Sequence, residues 1–172
     1  MKKILALVPI LLLAASVSHA QTTGTTTLGV TVGAEAAIVI NTAATNFTEG
    51  SGSFAAYTAS TAFTYYIRTI SLGTITLEIT SDFSPALGPS VATSGSTGDT
   101  LTYANTVQLP GTAAGGQTAS TTAQTAVASF GANALSAKTG NTVNSVAWTL
   151  VNDPAYKASS YSAVATFTIS AT

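Results

Sequence analysis

A serine or threonine hydroxyl becomes a catalytic nucleophile only when a base stands beside it. This chain is rich in both residues, yet it carries a single histidine, His19, and no cysteine. Lys138 and Lys157 could in principle form a Ser–Lys arrangement, but neither lies in a recognisable motif and both read as loop lysines. Glu78 and Asp82 are near enough in sequence to suggest the carboxylate pair of a glycoside hydrolase. Glu78, however, falls on the outward face of a Thr-rich strand, and Ser81-Asp82 after the strand suits a turn. Asp99, after Gly98, and Asp153, before Pro154, read as turn formers as well. Transition metals favour imidazole or thiolate, and calcium needs a loop dense in oxygen ligands, whereas no Asp-rich stretch is present. The expectation is a protein that is not an enzyme, with no catalytic, cofactor-binding or metal-binding residues and no cofactor.

The histidine is itself expected to be lost. Lys2 and Lys3 precede an apolar run over residues 4–15, and Ser18-His19-Ala20 fits the small-residue pattern of leader cleavage. That run is well short of the roughly 20 residues a spanning helix needs. Residues 1–20 therefore read as a signal peptide and residues 21–172 as one exported domain, bound for the periplasm, the cell surface or the extracellular space. Beyond the leader, three basic residues (Arg68, Lys138 and Lys157) stand against six acidic ones, a net charge near −3. Nucleic-acid binding draws on clustered Lys and Arg to displace counterions, so no nucleic acid partner is expected, nor any stable membrane insertion.

The elements that must position these residues are strands. Residues 24–32 alternate, with Leu28, Val30 and Val32 on one face, and residues 36–40 form a short apolar run. A short strand is expected around Phe47, followed by a loop through Gly50-Ser51-Gly52. Residues 61–69 place Phe63, Tyr65 and Ile67 inward, and residues 73–80 do the same with Ile75, Leu77 and Ile79. The short link 70–73 predicts that these two strands form a hairpin. Residues 100–109 and 118–130 are further expected strands, with a turn at Gly115-Gly116; the latter is rich in Ala and Thr, and its Ala content would also permit a helix. Val146, Trp148 and Leu150 alternate before the turn Asn152-Asp153-Pro154, and residues 161–171 close the chain with another alternating run. Eight or nine strands without a helical period predict an all-β, two-layer antiparallel sandwich. Trp148 is its expected core anchor, and Tyr156 or Tyr161 could form a tyrosine corner, the hydroxyl satisfying nearby backbone.

Residues 156–170, from Tyr156-Lys157-Ala158 through Ala165-Thr166-Phe167-Thr168-Ile169-Ser170, resemble the closing strand of secreted pilin-like β-sandwiches, the chaperone–usher fimbrial subunits and spore-coat-U-type domains. The resemblance implies an Ig-like fold and assembly into surface fibres. It also makes Leu28, Val30 and Val32 a candidate assembly strand, the arm that such subunits insert into a neighbour. As an ordinary first strand, the same residues would pair within their own sheet. Tyr66, facing opposite to Tyr65, is the candidate exposed aromatic contact, and outward rows at Thr74, Thr76 and Thr80 suit the wet face of a sheet.

These readings point to an exported non-catalytic structural or adhesive surface protein, a fibre or extracellular-matrix subunit that self-assembles or meets another surface protein. The alternative is a monomeric secreted binding module for carbohydrate or another surface ligand. Expressed in a bacterial host, the exported protein should begin at Gln21 by intact-mass spectrometry. A mass that retains residues 1–20 would overturn the leader assignment.

Overall fold

The computed structural model describes residues 25–91 and 101–172. The leader, the residues 21–24 that follow it and Asp99 lie outside the described residues. The chain divides into Met1–Thr31 and Val32–Thr172. Among the described residues of the second unit ten strands follow one another: β1 (Glu35–Ile40), β2 (Thr48–Glu49), β3 (Tyr57–Arg68), β4 (Gly73–Ser84), β5 (Leu101–Thr106), β6 (Thr112–Ala113), β7 (Gln117–Thr118), β8 (Thr125–Phe130), β9 (Asn141–Leu150) and β10 (Ser162–Ala171). No helix occurs among the described residues.

All pairings are antiparallel. One sheet has the order β1-β3-β9-β5-β7, with β2 also on β3, and the other the order β10-β4-β8-β6. The two share one core, which fits a β-sandwich. Alternation explains it: Phe63, Tyr65 and Ile67 of β3, Val146, Trp148 and Leu150 of β9, and Ile75, Leu77 and Ile79 of β4 are all buried. Between the sheets Tyr65 meets Phe130 edge-on at 5.1 Å, and within one sheet Tyr103 and Trp148, directly opposite in register, lie 5.4 Å apart. Such aromatic pairs add about 0.5–1.5 kcal/mol beyond the area they bury.

The expected hairpin does not form. β3 and β4 belong to different sheets, and the link between them arches across the core. Its backbone is satisfied by distant segments and closes no tight turn. Ile70 and Ser71 both donate their N–H to the Thr172 carbonyl (2.9 and 2.7 Å), while the Thr69 hydroxyl donates to Gly131 O (2.7 Å) and accepts from Ala134 N (2.8 Å). Each twelve-residue strand is flanked on both sides within its own sheet, β3 by β9 and by β1 with β2, and β4 by β10 and, over Gly73–Leu77, by β8. Residues 25–34 form no strand either, so the reading of residues 25–32 as a first strand of their own sheet is also corrected. Within 118–130, residues 119–124 leave the sheet. There the Ser120 hydroxyl accepts from Thr122 N and Ala123 N (both 3.1 Å), a local bond that competes with strand pairing.

Outward hydroxyls pair across β4 and β10: Thr80 with Thr166 (2.8 Å) and Thr74 with Ser170 (3.0 Å). Inside, polar groups are matched one by one. Trp148 Nε1 donates to Thr61 Oγ1 (2.8 Å). Asn141 Nδ2 donates to Tyr65 Oη (2.8 Å), and Asn144 Nδ2 donates to Phe63 O (3.0 Å), tying β9 to β3. Tyr103 Oη lies 2.6 Å from Thr125 Oγ1 and 3.0 Å from Ala126 O, joining β5 of one sheet to β8 of the other.

Burial pushes the Tyr103 phenol above its ordinary value of 10.0, its bond to Thr125 opposing the shift in part. The unfolded chain then releases this proton first as pH rises. The stability contribution is full below the unfolded pKa and is lost as pH climbs from there through the raised native value. Tyr103→Phe should cost about 1 kcal/mol in urea unfolding at neutral pH and should flatten the alkaline decline. An unchanged alkaline limb would show that this phenol does not contribute to it.

Candidate functional site

β1 and β10 are the edge strands of their respective sheets on the same side of the molecule, and they lie against each other. β1 stops at Ile40, and from there side chains replace the strand along β3. Asn41 N donates to Ala62 O (2.8 Å), Ala62 N donates to Thr42 Oγ1 (2.8 Å), and the Thr45 and Thr61 hydroxyls lie 2.6 Å apart. The backbone of β3 is thus served without a strand to roof the core.

A groove of about 470 Å3 opens at this place. Ile79, Leu101 and Trp148 reach it from the core, Phe47 and Phe83 line it, and residues 161–165 and Phe167 of the last strand and its approach form its other wall. Phe47 meets Phe83 edge-on at 6.4 Å, and Phe167 lies 6.0 Å from Phe63. Among the described residues β10 pairs only with β4, and its ladder carries irregularities between Ser162 and Ala165. It contains no charged residue and no proline, the devices by which edge strands usually discourage further pairing.

The approach to β10 is latched. The Tyr161 ring packs on Gly88 so closely that a Cβ there would lie 2.1 Å from Tyr161 Cε1. Its hydroxyl donates to Lys157 O, with Leu87 O 3.3 Å away, and Lys157 N donates to Leu87 O (2.9 Å). The tyrosine-corner expectation is met at Tyr161. Asp82 holds the facing segment and is no turn residue after the strand: it lies within β4. Its carboxylate accepts from Phe83 N (2.8 Å), Val91 N (2.8 Å) and the Ser90 hydroxyl (2.6 Å). Charge-assisted bonds of this kind are the stronger ones.

The chain matches no family model, no curated protein and no solved structure.

Of the residues singled out in the sequence, Trp148 and Tyr161 line the groove, whereas Tyr66, Glu78, Lys138 and Lys157 do not. Leu28 and Val30 are 92% and 87% exposed and Val32 is 57% exposed, all outside any strand. Tyr66 is 38% exposed on the outer side of β3. Its ring rests against Gly140, whose φ of +80° and lack of a Cβ both suit the contact. It borders a shallow hollow with Arg68 and Glu35, whose exposed ion pair of 3.0 Å contributes little. Lys138 and Lys157 are exposed, and Glu78 is half-buried opposite Thr166. Among the described residues no three His, Cys, Asp or Glu side chains are grouped to hold a metal ion. The groove itself escaped sequence reading because its wall is gathered from segments more than a hundred residues apart. Its one local signal is Phe47, isolated in a small polar stretch.

Tyr161→Phe should lower stability by about 1 kcal/mol. Gly88→Ala, which forces the ring from its seat, should lower it further. Urea midpoints in the opposite order would show that the ring contact matters less than the hydroxyl.

Proposed function

We propose that this chain is an exported, non-catalytic structural or adhesive surface protein with an Ig-like, pilin-like sandwich, and that its copies join by strand addition. The segment carrying Leu28, Val30 and Val32 in one copy lies along the free edge of β10 in the next and turns its apolar side chains into the groove. The observation that carries this reading is the edge itself: ten residues of uncharged strand, paired on one side only among the described residues, beside an apolar opening to the core. Strand addition supplies backbone bonds for affinity and alternate side chains for specificity. Eight residues of extended chain span roughly 26 Å, so residues 25–32 are long enough to follow most of β10. Their alternation, unused by any sheet of their own chain, gives that edge a matching partner.

The mature chain, residues 21–172, should form fibres by negative-stain electron microscopy, or ladders that resist SDS. The double substitution Leu28→Asp, Val30→Asp would bury carboxylates in an apolar groove at a cost of several kcal/mol, and it should leave a folded monomer. A wild-type chain that stays monomeric at high concentration, or an assembly indifferent to the double substitution, would overturn the proposal.

A further inference from the structure

A second depression, of about 670 Å3, lies at the end of the sandwich where β2, the turn after it and the connection from β9 to β10 come together. This falls within the roughly 300–1,000 Å3 of small-ligand sites. Its walls combine rings and hydrogen-bonding groups from distant parts of the chain: Phe54, Tyr57 and Tyr156 with Glu49, Asn152 and Lys157. Asn152 Nδ2 donates to Glu49 Oε1 at 2.9 Å, so an amide and a carboxylate are held side by side at the ends of β9 and β2, with hydrogen-bonding capacity left over on both.

Phe54 is the informative residue. It is 58% exposed, and its φ of +51° places a bulky, non-glycine side chain in the left-handed region. Such a conformation is disfavoured for a bulky L-residue. Strain of this kind persists where the surrounding structure imposes it, and it clusters at ligand sites. Here it holds an aromatic ring in water at the mouth of a depression, where burial gives no reason for it.

We infer that this depression is a binding site for neutral saccharide. Flat apolar rings beside a fixed amide–carboxylate pair suit a ligand with C–H faces and a rim of hydroxyls that both donate and accept. Tyr57 and Tyr156 are half-buried, each bringing an apolar ring and a polar tip. One lysine beside Glu49 and Asp153 makes a poor setting for a polyanion. The site is distinct from Tyr66, and it does not depend on strand addition.

The test is nuclear magnetic resonance titration of the mature chain carrying Leu28→Asp and Val30→Asp, so that failure of assembly and failure of sugar binding are read separately. The probes are chitotriose, mannotriose and lactose, with a sulfated heparin tetrasaccharide as the anionic comparison. At least one neutral saccharide should shift the amides around Phe54, Tyr57 and Tyr156 saturably. Asn152→Ala should weaken that binding about tenfold. Phe54→Gly should weaken it as much while raising the thermal midpoint, because glycine accepts the left-handed conformation without strain. A purely structural Phe54 would not show this opposition of stability and binding. No shift with any neutral saccharide, binding that survives both substitutions, or binding of the sulfated probe alone would overturn the inference.

Discussion

With no sulfur beyond Met1 and only nine charged residues outside the leader, this domain has to hold two sheets together by apolar packing and by matching its polar groups. No disulfide ties one sheet to the other, and the exposed ion pair of Arg68 with Glu35 is too well solvated to contribute much. What remains is a set of buried Asn, Thr, Tyr and Trp side chains, each placed against a partner. Among the described residues a single buried side-chain atom, Asn105 Oδ1, lacks one. A buried polar group costs free energy when unpaired and sets register when paired. Tyr65, Asn141 and Asn144 therefore fix how β9 lies on β3, while Tyr103 and Thr125 fix one sheet against the other.

The same dependence on pairing explains why the edge between β1 and β10 stands out. Along β3 the place that β1 vacates after Ile40 is taken at residues 41–45 by hydroxyls and an amide N–H. Among the described residues the outer edge of β10 has no ladder partner, β1 lying against that strand without pairing to it. The groove and the end depression also share three rings, Phe47, Phe83 and Tyr161. An assembly surface and a ligand site can thus sit on adjoining walls of one small domain without a second core.

Much of the fold was legible because alternation is a local signal. The inward triplets of β3, β4 and β9 and the core place of Trp148 follow from a period of two. Periodicity says nothing about partners, however. It could not tell that β3 and β4 part into different sheets, since the bonds that satisfy their link come from Gly131, Ala134 and Thr172. It also marked residues 24–32 as a strand, although residues 25–32 lie in no strand. The role of Asp82 was hidden for a similar reason, because Ser90 and Val91 approach its carboxylate only after the chain has turned back. The candidate sites were the least legible. Phe54 carries no sequence mark of its left-handed backbone, and Glu49 and Asn152 are brought together across a hundred residues.

The ladder between β10 and β4 runs from Ser162 opposite Ser84 to Ala171 opposite Gly73, and just beyond it Thr172 N donates to Leu72 O (2.8 Å). Antiparallel ladder bonds lie perpendicular to the strands. A pull along the length of β10 therefore loads the whole row in shear, and the bonds must yield together; a pull across it would open them one at a time, like a zipper. The strand with the free edge is in this way held against lengthwise tension by one long ladder, a mechanical property that needs neither disulfides nor charge.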